Sequence, residues 1–305
     1  MRTPAKLAAY GAVLAMLMGG GAGIGAAAGP IDVSDDDHEV HSTDAGPEPG
    51  GAAVAAELPA GLAVAEGGYR LEVDGTTLAS GMPSEFRFRV VDDHTGTAVT
   101  RFAVEHEKCL HLVVVGRNLV DYAHLHPTLG GDGTWSVELP ALPAGSYRAF
   151  ADFKPTGADA LTLGVDLTVA GSTIASDLPA PSRQVTVDGY DITLDGDVRP
   201  GESELAFTVT RDGRALRTEP FLGASGHLVA IRAGDLAYLH VHPLDREGAE
   251  VRFAAEFPSP GSYRLFLDFA HDGEVHTAAF TVDAPTDTTS PPPSPTAEGD
   301  EHESH

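Results

Sequence analysis

Cys109-Leu110-His111-Leu112-Val113-Val114-Val115, followed six residues later by Tyr122-Ala123-His124-Leu125-His126-Pro127, returns as Ser225-Gly226-His227-Leu228-Val229-Ala230-Ile231 and Tyr238-Leu239-His240-Val241-His242-Pro243. Each histidine meets its counterpart at the same offset of 116 positions (227 − 111, 240 − 124, 242 − 126). The offset runs on without a gap from Gly145-Ser146-Tyr147-Arg148-Ala149-Phe150-Ala151-Asp152-Phe153 to Gly261-Ser262-Tyr263-Arg264-Leu265-Phe266-Leu267-Asp268-Phe269. A long fixed offset is the mark of a duplicated domain.

Within each copy the apolar residues recur every second position. Tyr69-Arg70-Leu71-Glu72-Val73, Phe86-Arg87-Phe88-Arg89-Val90, Trp135-Ser136-Val137-Glu138-Leu139 and Val251-Arg252-Phe253 all alternate. A period of two belongs to half-buried strands, and Gly, Pro and Asp break the runs at the spacing of sandwich folds. The expected fold is all-β: two tandem immunoglobulin-like antiparallel β-sandwiches. Leu142-Pro143-Ala144-Gly145-Ser146-Tyr147 and Pro258-Ser259-Pro260-Gly261-Ser262-Tyr263 resemble the corner at which a tyrosine of immunoglobulin-like domains bonds back to the backbone. Ala149 and Leu265 stand where true immunoglobulin domains place the second bridge cysteine, so each core must hold without it. Tyr147, Ala149, Ala151 and Phe153, and Tyr263, Leu265, Leu267 and Phe269, are the expected inward faces.

The length of 305 residues suits two such domains. The charge of −26, from 19 basic and 45 acidic residues, argues against nucleic acid and against an anionic membrane surface as partners. The single cysteine, Cys109, rules out an intramolecular disulfide. Residues 1–28, with Arg2 and Lys6 before the apolar run Leu7–Met18 and then Ala26-Ala27-Ala28, read as a signal peptide or an N-terminal membrane anchor. No cysteine follows that run closely, which excludes a lipoprotein anchor. The remainder is expected outside the cytoplasm, secreted or anchored. Residues 29–65 read as an acidic, flexible linker, 66–170 as the first repeat, 184–283 as the second, and 284–305 as a disordered tail rich in Thr, Ser and Pro.

Chemistry concentrates in the histidines. On a strand, residues two apart share a face. His124 and His126 therefore point one way, as do His240 and His242. Pro127 and Pro243 end the ladder. A two-residue turn near Arg117-Asn118 sets His111 opposite His124 and Cys109 opposite His126. The equivalent turn near Ala233-Gly234 sets His227 opposite His240 and Ser225 opposite His242. Opposed side chains on a hairpin come close enough to share a metal. The expectation is one metal cluster per repeat: Cys109, His111, His124 and His126 in the first, His227, His240 and His242 in the second. Imidazoles with or without a thiolate favour copper or zinc over magnesium or calcium. The structural alternative is that these are core histidines carried along by the duplication.

Asp152 and Asp268 occupy matching places and are candidates to orient a histidine from behind, although pairing with Arg148 and Arg264 is the plainer expectation. Glu105-His106-Glu107-Lys108 reads as a solvated loop beside the first cluster. His271 and His276 occur only in the second copy. No nucleophile elbow, phosphate-binding glycine loop or telling carboxylate pair is present, so no enzyme is expected.

With its HLHP and HVHP strands, the chain resembles exported bacterial proteins with tandem immunoglobulin-like repeats associated with heavy-metal handling. In architecture it is similar to copper-resistance sandwiches of the CopC type. That resemblance implies a copper or zinc buffer or chaperone. Its partners would be the metal ion and a membrane metal transporter or other envelope protein. The alternative function is a non-catalytic cell-surface interaction module.

Overall fold

The computed structural model describes residues 59–173, 176–239, 241–245 and 248–286. The signal or anchor at 1–28, residues 29–58 of the linker, and the tail beyond 286 lie outside the described residues. So do His38, His41, His302 and His305. Among the described residues there is no helix, and none long and apolar enough to cross a membrane.

Each repeat is a sandwich of two sheets. In the first, Tyr69–Val73, Ser84–Asp92 and Thr134–Leu139 form the middle of one sheet, and Leu161–Val169, Gly145–Phe153, Leu110–Gly116 and Tyr122–Leu125 run side by side in the other. In the second, Tyr190–Asp195, Gly201–Arg211 and Val251–Phe257 build one sheet, and Tyr238–Leu239, His227–Arg232, Gly261–His271 and Glu274–Ala284 the other. Pairing is antiparallel apart from Thr77–Leu78, which runs parallel to Leu161–Val169.

The period-two pattern fills both cores as the sequence predicts. Tyr147, Ala149, Ala151 and Phe153 join Trp135, Phe86 and Phe88 in the first core. Tyr263, Leu265, Leu267 and Phe269 join Phe207, Phe253 and Phe280 in the second. The tyrosine corners are formed: Tyr147 donates from its hydroxyl to the Pro143 carbonyl at 2.9 Å, and Tyr263 to that of Ser259 at 2.6 Å. Each bond ties the start of a central strand to the loop before it.

A third apolar cluster belongs to neither sandwich alone. Val113, Val115 and Phe150 of the first repeat and Val229, Ile231, Phe266 and Tyr238 of the second are buried together. These side chains alternate with the core-facing ones, so they come from the outer faces of the two histidine-bearing sheets. The two repeats pack on each other through equivalent faces. Tyr122 stacks on Phe266 with ring centres 4.0 Å apart, and its counterpart Tyr238 meets Phe150, the counterpart of Phe266, at 5.4 Å.

Residues 59–64, assigned to the linker by composition, lie against this pair of sheets. Gly61 donates to the Thr162 carbonyl at 2.8 Å, Gly164 to that of Ala63 at 2.8 Å, and Tyr238 of the second repeat to that of Ala60 at 2.9 Å. The approach is so close that a Cβ on Gly164 would lie 2.0 Å from the Gly61 carbonyl oxygen. Arg148 donates to the Gly61 and Leu62 carbonyls and pairs with Asp166 at 2.6 Å.

Candidate metal centre

The hairpin carrying the first cluster has a longer loop than its sequence suggests. Gly116 N–H donates to the Asp121 carbonyl at 2.8 Å, with residues 117–120 between them and Leu119 in a left-handed conformation. Leu112 therefore faces Leu125, and Val113 faces His124. The expected pairings of His111 with His124 and of Cys109 with His126 are thus wrong by two residues. A shift of two keeps every side chain on its own face. His111, His124 and His126 remain together, and one ring nitrogen from each lies within 4.8 Å of the others.

The second hairpin departs further from expectation. Ala230 faces Leu239 and Ile231 faces Tyr238, again shifted by two. The chain then changes sheets: Val241–Pro243 pairs with Val251–Phe257, setting His242 against Ala254. His242 thereby sits in the other sheet from the strand that bears His227. His240 lies outside the described residues. No second triad appears among the described residues.

His227 is instead drawn to the first cluster by the packing of the repeats. Its ring centre lies 5.2 Å from that of His111 and 4.7 Å from that of His124. Its residue in the sheet ladder is Asp268, just as that of His111 is Asp152. The two aspartates have different lives. Asp268, 2% exposed, accepts from His124 Nδ1 at 2.9 Å across the repeat boundary, from Tyr122 Oη at 3.3 Å, and from Thr277 Oγ1 at 2.6 Å. Asp152 accepts from Thr162 at 3.1 Å, and its burial raises the carboxyl to about 6. Neither takes the expected arginine: Arg264 donates to the Leu119 carbonyl and to Thr281.

These bonds fix the tautomers. A carboxylate and a carbonyl only accept. His124 therefore donates from Nδ1 to Asp268, and His111 donates from Nε2 to the Glu105 carbonyl at 3.2 Å. With both rings neutral, His111 Nδ1 and His124 Nε2 face each other as lone pairs at 3.1 Å. That arrangement is repulsive unless a proton or a metal ion lies between them. His126 Nε2 is buried without a hydrogen-bond partner. Burial, then the neighbouring imidazole of His124, pushes His111 down to about 4 and His126 down to about 3. His227 is held well below the ordinary value for the same reasons. Neutral imidazole is the form that binds metal.

Cys109 is not in the convergent set. It packs against the first core and lines a cavity of about 470 Å³ with His106, His111, Asp152, His227 and His242. The loop read as merely solvated borders the site: the His106 ring lies 6.1 Å from His111 and 5.8 Å from His227. His271 and His276 belong elsewhere, bonded to Tyr190 and Asp188 respectively.

The convergence of His227 on the first cluster escaped the sequence reading, although a signal was present. Leu112–Val115 is apolar at every position, which marks a strand buried on both faces. The outer face needed a cover, and the equivalent face of the other repeat supplies it.

Two immunoglobulin-like sandwiches, packed face to face and carrying buried histidines at their junction, define the class of protein. The chain belongs to the family described as "Domain of unknown function (DUF8832)", which matches residues 63–171 and again 185–286. No curated protein matches it. Among solved structures it is similar to the Escherichia coli adhesin FdeC, with 15% identity over 72% of this chain and 64% of that one and a TM-score of 0.23. It is similar also to the Yersinia pseudotuberculosis adhesin InvE, with 13% identity over 70% and 58% and a TM-score of 0.22. Salmonella alpha-2-macroglobulin mutant Y1175G gives 13% over 76% and 15%, with a TM-score of 0.26. At such scores the likeness carries no argument about function.

Proposed function

We propose that this chain is an extracytoplasmic metal-binding protein that holds copper or zinc in a histidine site at the junction of its repeats, as a buffer or chaperone. One observation carries the reading. Three imidazole nitrogens converge, and the other nitrogens of two of these rings are committed to a carboxylate and a carbonyl. A histidine bonded from behind by such groups is the usual form of a metal-ligating histidine. All-nitrogen donors suit zinc or copper, and magnesium and calcium prefer oxygen. The apolar N-terminal run supports a place outside the cytoplasm, and a membrane metal transporter or other envelope protein is the partner this role requires. The test is titration of zinc and of copper into untagged protein, against His124→Ala/His126→Ala. Submicromolar binding by the wild type that the double variant loses is expected. Equal binding by the two proteins removes the reading.

A second reading, a cell-surface module that binds another protein, is favoured by the immunoglobulin-like scaffold and by exposed apolar side chains beside its loops, Val104 (65% exposed) and Met82 (58%). It requires partner binding that is indifferent to chelator.

A further inference from the structure

We infer that the site belongs to the pair of repeats: His227 is a fourth ligand, Asp268 is the residue that positions His124, and the second repeat supplies both. This rests on the proposed metal site and adds its ligand number and its assembly.

The first observation is one of spacing. Four imidazoles bound tetrahedrally at about 2.0–2.1 Å hold their ring centres about 5 Å apart. The centres of His111, His124 and His126 lie 5.3, 5.0 and 4.9 Å from one another, and His227 lies 5.2 and 4.7 Å from the first two. One ring nitrogen from each of the three first-repeat histidines already lies within 4.8 Å of the others. The His227 ring is parallel to that of His111, within 4°, and stands outside the group of three, so it must turn about its side-chain bonds to offer a nitrogen.

The second observation is charge. Asp268 is buried at the junction and receives three hydrogen bonds, two of them from the first repeat. A buried carboxylate is stabilised by a nearby cation. An ion on His124 Nε2 is one ring away from it. Ion and carboxylate then stabilise each other only when the repeats are docked, so metal binding and docking are linked and each strengthens the other.

The experiment is a Co(II) and Zn(II) competition titration of the full chain against a chelator, for wild type, His227→Ala, His227→Gln, Asp268→Asn and, as a control away from the cavity, His271→Ala, whose native ring bonds to Tyr190. Melting in chelator checks folding, and His227→Gln serves where His227→Ala melts early. Expected are a tetrahedral Co(II) spectrum in the wild type and in His271→Ala, and its loss with at least a tenfold weaker affinity in the His227 variants. Asp268→Asn is expected to weaken binding about 10–100-fold, the usual cost of a lost outer partner, while keeping a four-coordinate spectrum. Wild-type spectra and affinities in the His227 and Asp268 variants would overturn the inference and leave a three-histidine site standing. Absence of binding by the wild type would overturn both.

Discussion

Oδ2 of Asp268 in the second repeat accepts a hydrogen bond from Nδ1 of His124 in the first, at 2.9 Å, with both side chains almost wholly buried. Asp268→Ala leaves His124, Tyr122 and Thr277 as donors without an acceptor. Hydrogen bonds to a charged group contribute about 1.5–3 kcal/mol each, and orphaned donors add their desolvation cost. We expect Asp268→Ala to lower the unfolding free energy of the metal-free protein by about 3 kcal/mol. Asp268→Asn keeps a carbonyl acceptor and loses less. Urea unfolding in chelator reads both, and a loss under about 1 kcal/mol for the alanine variant would mean that the junction does not depend on this carboxylate.

Apolar packing at the junction is tested by Phe266→Ala and Phe150→Ala. Both rings are at most 1% exposed and occupy equivalent places in the two repeats. Truncating a buried phenylalanine costs about 3–5 kcal/mol. Because the rings lie between the sandwiches, the loss should appear as two separated transitions where the wild type shows one. A single transition in both variants would mean that something other than this cluster couples the repeats.

Acid should weaken the metal-free protein. His111 and His126 titrate at about 4 and about 3 when folded, because burial and the nearby imidazoles disfavour charge. In the unfolded chain they take up protons near 6.5. Between those values the unfolded state binds more protons, so the stability these rings confer is complete above about 6.5 and is lost as pH falls towards 4 and 3. Asp152 acts oppositely. Its burial raises it to about 6, so its contribution is complete below about 4 and is lost as pH rises through 6. Two depressed histidines, and His227 depressed beside them, outweigh one raised carboxyl. Melting temperature in chelator should therefore fall between pH 7 and pH 4.5, and the fall should shrink in His111→Gln/His126→Gln. A flat profile would contradict the burial of these rings.

The duplication, the sandwich and its inward faces were legible because strand alternation and a fixed offset are local properties of the chain. Tyr147 and Tyr263 could be placed at their corners from a few neighbouring residues. Hairpin register was less legible. It depends on loop length, and nothing in Arg117-Asn118 announces that residues 117–120 all lie in the turn. The error was an even number of residues, so the face survived and His111, His124 and His126 still meet. The fate of His242 was out of reach, because a change of sheet after Leu239 is decided by the far strand Val251–Phe257. The meeting of His227 with the first cluster depends on how two whole domains pack, which no periodicity within one repeat encodes.

The turn beside the site offers a comparison internal to the chain. Glu105 and Lys108 bond to each other at 2.9 and 3.0 Å around His106 and Glu107, whose φ values are 48° and 64°. Positive φ at both central positions is a type I′ turn, which prefers Gly, Asn or Asp. The second repeat makes the same turn between Phe221 and Ala224, with Leu222 at 52° and Gly223 at 75°. Glycine thus stands where the first repeat has Glu107. A left-handed residue with a side chain costs about 1–2 kcal/mol. Glycine removes that strain and restores about 0.5–1 kcal/mol of unfolded-chain entropy, so the strain term wins narrowly. Glu107→Gly should raise the unfolding free energy by about 0.5–1 kcal/mol, and Gly223→Glu should lower it, both read from denaturant midpoints. The Glu107 side chain lies 3.6 Å from the place of a Cβ on Gly223, so the two turns are neighbours at the junction. A loss of stability in Glu107→Gly would mean that this contact between the turns outweighs the backbone strain, and that the first repeat keeps a charged residue there to hold the second.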